Sequence, residues 1–189
     1  MTAPVFYNIG VDMKDTPDTR NVIDAYRGKS VEAIVSSLDK SRSELEIAVE
    51  NLTRDFNMGT IIRNANAFNV RKVHVIGRRQ WNKRGAMKTD AYLHLEYHKT
   101  PEEFFEKMHA EDREVIAIDI VKGAQPLGEA GLPENAVLVF GSEGEGLSQE
   151  MLDAAHAIVM IEQFGSTRSV NVGVASGIAM YAWIQQHRL

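Results

Sequence analysis

Short apolar runs alternate with longer segments of helical spacing from residue 44 to the end of the chain. Runs with the length of buried strands occupy 45–49, 72–77, 92–98, 114–121, 136–140 and 157–161. Segments whose apolar residues recur with the period of a helix occupy 58–69, 101–110, 148–155 and 169–186. This alternation predicts an α/β fold with a mainly parallel sheet and helices on both faces. In such folds, ligands bind beyond the carboxyl ends of the strands.

The first 42 residues follow a different pattern, with two turn-forming clusters and short helical pieces, one of them at 31–38. We therefore divide the chain into a helical N-terminal extension, residues 1–42, and a main domain, residues 43–189. The extension is either a packing arm or a support for substrate binding or dimerisation. The sequence leaves both interpretations open.

Composition narrows the class of protein. The chain has 189 residues, a formal net charge of -5 and no cysteine. A diffuse polycation is excluded, so any nucleic-acid surface must be local. The lack of cysteine excludes disulfides and thiolate chemistry and favours a cytoplasmic protein. Neither a secretory signal nor a membrane segment is expected, because the apolar stretch 169–184 is about one turn short of a membrane span.

The segment 57–68 predicts a helix with one polar face. Gly59, Arg63 and Asn66 share that face, and Asn57 stands at the position of an N-cap. The N-terminus of a helix attracts anions, and the guanidinium of Arg63 suits a phosphate. A solvated helix face without a ligand is the alternative.

The most basic stretch lies between residues 71 and 88, which contain seven lysines or arginines and no acidic residue. An aromatic side chain, Trp81, lies among these cations. This combination favours stacking on an unpaired base together with phosphate contacts. A solvated loop without a partner is the alternative. With the polar helix face, the candidates for binding nucleic acid are Asn57, Arg63, Arg78, Arg79, Trp81, Lys83 and Arg84.

A glycine-rich loop follows the fifth apolar run. Gly141, Gly144 and Gly146 are interspersed with Glu143 and Glu145. The carboxylates would repel a pyrophosphate, and the loop lacks the Lys-Ser/Thr pair of a P-loop. The loop therefore suits a ligand that is not polyanionic and that backbone groups can approach closely. A tight strand-to-helix turn is the alternative.

Ser169 and Asn171 stand at the start of the last predicted helix, where their side chains either cap the helix or bind a ligand. Gly173 and Gly177 permit the close approach of another backbone, from a second subunit or from the same chain. The six histidines lack the spacing of metal ligands, so no metal site is predicted.

Three of these segments together resemble the motifs of the SpoU/TrmH branch of the SPOUT RNA 2'-O-ribose methyltransferases. The first resembles N-x-G-x-I-x-R-x-A-x-x-F and matches at every named position from Asn57 to Phe68. The second resembles G-x-E-x-x-G-L-S and is matched by Gly141, Glu143, Gly146, Leu147 and Ser148. The third resembles I-P-x-x-G…S-L-N-V-S and is matched by Ile161, Gly165, Ser169, Asn171 and Val172.

The third motif departs from the family at three positions, where Glu162, Val170 and Gly173 replace the usual Pro, Leu and Ser. The exchange at Glu162 is expected to place a carboxylate near the cofactor. Because the usual RNA-recognition domain is not evident, residues 1–42 and the basic stretch would have to replace it.

The resemblance implies a C-terminal trefoil knot that holds S-adenosylmethionine, and a homodimer packed through the knot helices. Asn171, with Ser169, would border the methyl group and the ribose. Arg63 would face the target nucleotide from the partner subunit. By position in the motifs, the cofactor-binding residues would be Gly141, Ile161, Ser169 and Val170.

The implied reaction transfers a methyl group to a ribose 2'-hydroxyl in tRNA or rRNA, which requires alignment and removal of the hydroxyl proton. The catalytic candidates are Arg63, Glu143 and Asn171. Because an arginine stays protonated, Arg63 is expected to orient the nucleotide and to stabilise alkoxide charge. Glu143 is the alternative proton acceptor. An RNA-binding protein that keeps the fold without catalysis is the alternative function.

Overall fold

A computed structural model describes residues 19–51, 57–142 and 144–189 of the chain. The strands are β1 (Glu46–Asn51), β2 (Lys72–Gly77), β3 (Leu95–His98), β4 (Glu114–Ile118), β5 (Gln125–Pro126), β6 (Ala136–Phe140) and β7 (Ala157–Met160). The α-helices are α1 (Val31–Asp39), α2 (Met58–Ala67), α3 (Pro101–Ala110), α4 (Gln149–Ala154) and α5 (Val172–His187).

The seven strands form one sheet in the order β3-β2-β1-β6-β4-β7-β5. All neighbouring strands are parallel, which confirms the predicted parallel sheet. The chain extends the sheet from β1 to β3 in one direction and later adds β4 to β7 on the other side. The carboxyl ends of β6, β4 and β7 consequently lie side by side, at the edge where ligands bind in such sheets.

Apolar side chains fill both faces of the sheet, as the near-continuous apolar runs require. Ile47 and Val49 of β1 point into one core, which α2 and α5 cover. Ala48, between them, points into the opposite core, which contains Phe104 of α3 and Met151 of α4. The predicted placement of helices on both faces is therefore confirmed.

Several boundaries differ from the predicted ones. β4 ends at Ile118 rather than at residue 121, and β3 begins at Leu95 because residues Thr89–Tyr92 form a 3₁₀ turn. A second 3₁₀ turn, Lys83–Ala86, lies in the predicted long loop. β5 was not predicted, because Gln125–Pro126 forms no apolar run and its pairing with β7 depends on tertiary structure.

The described part of the N-terminal extension contains two short helical pieces, the 3₁₀ turn Asp24–Tyr26 and α1. Ser30 caps α1 by accepting a hydrogen bond from the Ala33 backbone amide at 3.2 Å. Arg42 then donates to the Tyr92 carbonyl at 2.9 Å and so ties the end of the extension to the main domain. The division at residues 42 and 43 and the trefoil knot stay predictions. Among the described residues, no helix has the length and apolar character needed to cross a membrane.

Candidate functional site

A cavity of about 520 Å³ opens beyond the carboxyl ends of β4, β6 and β7. Sites for small molecules usually measure about 300–1,000 Å³, so this volume suits a ligand of cofactor size. One wall follows β6, the other follows β7, and the first turn of α5 closes the space between them. The lining includes Ile118, Asp119, Phe140, Gly141, Glu145, Leu147, Ile161, Gln163, Arg168, Ser169, Val170 and Val172.

The wall after β6 is a glycine loop folded tightly on itself. The backbone amide of Ser142 donates to the carbonyl of Gly146, and the reverse bond also forms, both at 3.1 Å. A Cβ on Gly141 would lie 2.2 Å from the carbonyl carbon of Gly146, so a larger residue cannot fit there. The predicted close approach of backbone groups at this loop therefore has a structural reason.

Two buried or half-buried acids hold the glycine loop in place. Glu50 of β1 accepts hydrogen bonds from the Ser148 hydroxyl at 2.6 Å and from the Ser148 amide at 2.8 Å. Asp119, directly after β4, accepts from the amides of Leu147 at 2.8 Å and of Ile120 at 2.7 Å. The loop is thus bonded to β1 and β4, the two strands that flank β6 in the sheet.

The opposite wall is the loop between β7 and α5. It carries three of the predicted cofactor residues, Ile161, Ser169 and Val170, and the fourth, Gly141, lies across the cavity. The structure therefore brings the second and third motifs to one cavity. The catalytic candidate Glu143 lies outside the described residues.

The first motif joins the third at the helix starts. The Asn171 side-chain amide donates to the Asn57 side-chain oxygen at 2.9 Å, while the Asn171 oxygen caps α5 by accepting from the Val174 amide at 3.3 Å. Asn64 of α2 donates to the Gly173 carbonyl at 2.8 Å. These bonds fix the start of α2 beside the start of α5, so all three motifs meet at this end of the sheet.

A model of the SpoU rRNA Methylase family matches residues 44–181, which is well over half of the chain. The chain belongs to the SpoU rRNA methylase family. The tRNA (guanosine(18)-2'-O)-methyltransferase of Escherichia coli (strain K12) is 24% identical over 151 residues, which cover 78% of this chain and 66% of that enzyme. The chain therefore spans slightly less than two thirds of the length of that relative.

Solved structures of SpoU proteins have the same fold. The Aquifex aeolicus TrmH/SpoU tRNA modifying enzyme matches with a TM-score of 0.72 and 22% identity, over 82% of this chain and 81% of that one. An AdoMet-bound rRNA methyltransferase from Sinorhizobium meliloti matches with a TM-score of 0.69 and 24% identity, over 82% and 60% of the two chains. At these identities, the likeness establishes the fold.

The first SpoU motif forms α2, but its polar face is smaller than predicted. Gly59 is buried against the backbone of Gly85 and Ala86, so its predicted place on the polar face is wrong. Arg63 is exposed and does not line the cavity of its own chain. Asn57 stands before the helix but makes no side-chain cap bond; its side chain bonds Asn171 instead.

The small residues of the third motif serve packing within the chain. A Cβ on Gly173 would lie 2.8 Å from the Thr60 side chain, and one on Gly177 would lie 3.3 Å from the Asn64 side chain. Both glycines therefore permit close packing against α2 of the same chain, and the approach of a second subunit stays a prediction.

The unusual Glu162 turns away from the cavity. Its Oε1 accepts a hydrogen bond from the Gly128 amide, after β5, at 3.2 Å. Glu162 does not line the cavity, although both neighbours in sequence, Ile161 and Gln163, do. The expectation of a carboxylate near the cofactor is wrong, because β5, which the sequence did not reveal, supplies a partner for it.

The basic stretch is more ordered than predicted. Trp81 is half-buried against the core, and the Lys83 ammonium lies 5.5 Å from the centre of its ring. Lys83 also pairs with Asp90 at 2.8 Å, and this hydrogen bond raises the pKa of Lys83. Arg79 covers the ring of Tyr97 at 4.7 Å. The core and Lys83 cover part of the Trp81 ring, and its stacking on an RNA base stays a prediction.

The cavity residues that sequence reasoning missed include Asp119, Gln163 and Arg168. Asp119 was missed because the predicted strand ran to residue 121 and so included it. An acidic residue at the end of an apolar run nevertheless indicates the carboxyl end of a strand, and that pattern could have identified Asp119. Gln163 and Arg168 lie within the third motif, at positions that its pattern leaves undefined.

Proposed function

We propose that this protein is an S-adenosylmethionine-dependent methyltransferase that modifies a ribose 2'-hydroxyl in tRNA or rRNA. The observation that carries this proposal is the convergence of the three SpoU motifs at one end of the sheet. The cavity lies between the second and third motifs, and the bond between Asn171 and Asn57 links them to the first. Relatives of the same family are named as tRNA 2'-O-methyltransferases.

The cavity suits S-adenosylmethionine on chemical grounds. Ile118, Phe140 and Ile161 supply an apolar surface for a purine, and the buried amide of Gln163 has no partner among the described residues. Arg168 and Glu145 offer opposite charges to the zwitterionic methionine end. The residues that would hold the cofactor are Gly141, Ile161, Ser169 and Val170.

When bound, the cofactor supplies a methyl group activated by its sulfonium. The protein then has to orient the acceptor and manage the charge on its oxygen. We assign Arg63 to the nucleotide: its guanidinium stays protonated, so it can clamp a phosphate and stabilise alkoxide charge, and it does not act as the base. Asn171, whose amide is oriented by Asn57, borders the reacting groups. Glu143 is the proposed proton acceptor.

We further propose that the protein acts as a homodimer packed through α5. Val174, Ile178 and Tyr181 form an apolar stripe on the exposed side of this helix, with 52%, 40% and 46% of their surface accessible. Such a stripe is typical of an interface. Arg63 is exposed and lies outside the cavity of its own chain, which fits a role in the site of the partner subunit.

Light scattering tests the dimer. Ile178→Glu should convert a dimer into a monomer, whereas Glu150→Gln on α4 should leave the mass unchanged.

If Arg63 acts across the interface, mixing Arg63→Ala protein with Asn171→Ala protein should restore activity, because one site of each mixed dimer has both residues. A wild-type monomer at micromolar concentration would contradict the proposal.

Methyl transfer tests the function directly. Purified protein with methyl-labelled cofactor should label either a tRNA pool or an rRNA pool, and nucleoside mass spectrometry should find a 2'-O-methylated nucleoside. Arg63→Ala protein serves as the inactive control. Binding of RNA without any transfer would instead support a non-catalytic RNA-binding protein.

A further inference from the structure

The side chain of Gln163 is the most unusual polar group of the cavity. Both its Oε1 and its Nε2 are buried, and neither has a hydrogen-bond partner in the part of the chain that the structure describes. Burying an amide group without a partner is unfavourable, and most buried polar side-chain atoms in proteins are paired. Gln163 lines the cavity, so a turn of its side chain that exposes the buried amide would let a ligand there become the partner.

The other polar side chains of the cavity restrict what Gln163 can bind. Both oxygens of Asp119 already accept backbone amides. Gln149, a second glutamine in the lining, donates to Asp153 at 2.6 Å. Arg168 and Glu145 carry charge and match the charged end of a ligand. Gln163 is left to bind a neutral group that offers a donor and an acceptor side by side.

The edge of an adenine ring has this character. Its 6-amino group donates, and the ring nitrogen next to it accepts, which is the pattern that a glutamine or asparagine amide pairs with in two parallel hydrogen bonds. Apolar neighbours such as Ile161 and Phe140 lower the polarity around the cavity, which strengthens such bonds.

We propose that Gln163 recognises the adenine of the cofactor through its 6-amino edge, with Oε1 accepting from the amino group and Nε2 donating to the adjacent ring nitrogen. This inference rests on the proposed function, because it takes S-adenosylmethionine as the ligand. The motifs lead us to expect backbone contacts with the cofactor. Gln163 would add a side chain that selects the base.

Titration calorimetry with two ligands tests the assignment without an activity assay. S-adenosylhomocysteine is compared with an analogue in which hydrogen replaces the 6-amino group. Wild-type protein should bind the analogue about tenfold or more weakly, because the analogue leaves Gln163 Oε1 unpaired. In Gln163→Leu this preference should shrink to about twofold or less, since the group that senses the amino function is gone.

Gln149→Leu is the matched control. It removes the same kind of side chain from the same cavity, but one that is already paired with Asp153, so the preference for the 6-amino ligand should persist. Gln163→Glu provides a second test that preserves side-chain size. It keeps the acceptor for the 6-amino group and loses the donor to the ring nitrogen, so both ligands should bind more weakly while the preference for the 6-amino ligand persists.

The possible outcomes separate the inference from the proposed function. If Gln163→Leu weakens both ligands equally and leaves the preference intact, Gln163 only shapes the cavity and the inference is overturned, while the cofactor assignment stands. The same holds if the wild type shows no preference. If wild-type protein binds neither ligand, the cofactor assignment and the inference both fail.

Discussion

Two polar regions of the same sheet differ in how their groups are paired. One is the cavity at the carboxyl edge. The other is a buried cluster of Glu46, His74 and His98 on the face that α3 covers. The His74 ring lies 2.8 Å from Glu46 through Nε2 and 2.9 Å from His98 through Nδ1. A carboxylate only accepts, so His74 donates to Glu46 and, with both rings neutral, accepts from His98.

Positive charges and an aromatic ring enclose this cluster. The second oxygen of Glu46 faces the guanidinium groups of Arg71 at 3.3 Å and of Arg113 at 3.6 Å. Phe104 packs edge-on against both imidazole rings. Oε1 of Glu46 makes no hydrogen bond among the described residues, but the two arginines balance its charge, so the cluster finds its ionic partners inside the protein and its role is structural.

The cavity shows the opposite arrangement. Gln163 has a buried amide without a partner, and the exposed guanidinium of Arg168 pairs with no acid among the described residues. Arg63, outside the cavity, is also exposed and pairs with no acid in the described part of the chain. Groups that the protein leaves unpaired are available to a ligand, whereas groups that it pairs contribute to folding. The difference between the two regions therefore predicts which substitutions affect stability and which affect activity.

The largest expected effect is the removal of Glu46. Glu46→Ala leaves the buried Arg113 with only the exposed carboxylate of Glu44, at 3.7 Å, and leaves His74 without its acceptor. Breaking a buried pair in this way costs about 3–5 kcal/mol. Urea unfolding at neutral pH measures the loss. Glu145→Ala, at the rim of the cavity, should change the free energy of unfolding by about 0.5 kcal/mol or less. Equal effects of the two substitutions would contradict the division into paired and unpaired regions.

The next effect concerns turnover. Arg63→Ala should lower kcat by about 10²–10³-fold, as removal of a group that stabilises developing charge does. Cofactor affinity by calorimetry and the free energy of unfolding should stay near the wild-type values, because Arg63 pairs with no acid among the described residues. Arg63→Lys keeps the charge without the planar fork and should recover only part of the rate. Collapse of cofactor binding would show that Arg63 has another role.

Sequence reasoning located the sheet and most of the site because those features are local. Apolar runs mark the buried strands, and the glycines and polar residues at the motifs mark the turns where the strands end. Ile161, Ser169 and Val170 were assigned by their resemblance to the third motif, and they line one wall of the cavity. Gly141 was assigned by its resemblance to the second motif, and the tight loop after β6 tolerates no side chain there. Binding of the cofactor by these residues stays a prediction.

The errors and omissions concern residues whose environment depends on distant segments. Trp81 is half-buried because it packs against the core. Glu162 points away from the cavity because it bonds the backbone that follows β5, a strand with no apolar run of its own. The pairing of Glu46 with His74 joins residues 28 positions apart on neighbouring strands. No local pattern distinguishes such a buried pair from two exposed polar residues.

Acidification should destabilise the paired cluster, to a smaller extent than removal of Glu46 because the side chains remain in place. Burial, together with the nearby His74, holds the pKa of His98 below its usual 6.5. The unfolded chain then binds more protons, so stability should fall as the pH drops below about 6.5. Unfolding free energies measured between pH 8 and pH 4 test this.

Glu46 extends the loss to lower pH. Burial alone would raise the pKa of Glu46, but the hydrogen bond from His74 and the charge of Arg113 hold it below the usual 4.5. Its contribution is present above pH 4.5 and is lost as the pH falls through the folded-state pKa. His98→Gln should flatten the part of the profile near pH 6, while replacement of the exposed His109 should not. An unchanged slope in His98→Gln would contradict this assignment.

The smallest expected effect concerns the basic stretch, in which some exposed cations have no acidic partner among the described residues, like the unpaired groups of the cavity. Arg78 and Arg84 are exposed and pair with no acid among the described residues, whereas Lys83 is held by Asp90. Replacing both arginines with alanine should weaken RNA binding and reduce the slope of log affinity against log salt by about 1 for each phosphate that is no longer bound. Lys83→Ala should change the slope less, because that ammonium already has a partner.

A double replacement of Lys40 and Lys99 by alanine removes the same charge elsewhere on the surface and serves as the control. If it flattens the salt dependence as much as the arginine pair does, RNA responds only to net charge and the stretch is not a binding surface. If only the arginine pair changes the slope, RNA contacts the cations that the fold leaves unpaired. The distinction between groups that the protein pairs and groups that it leaves for a ligand would then hold at the protein surface as well.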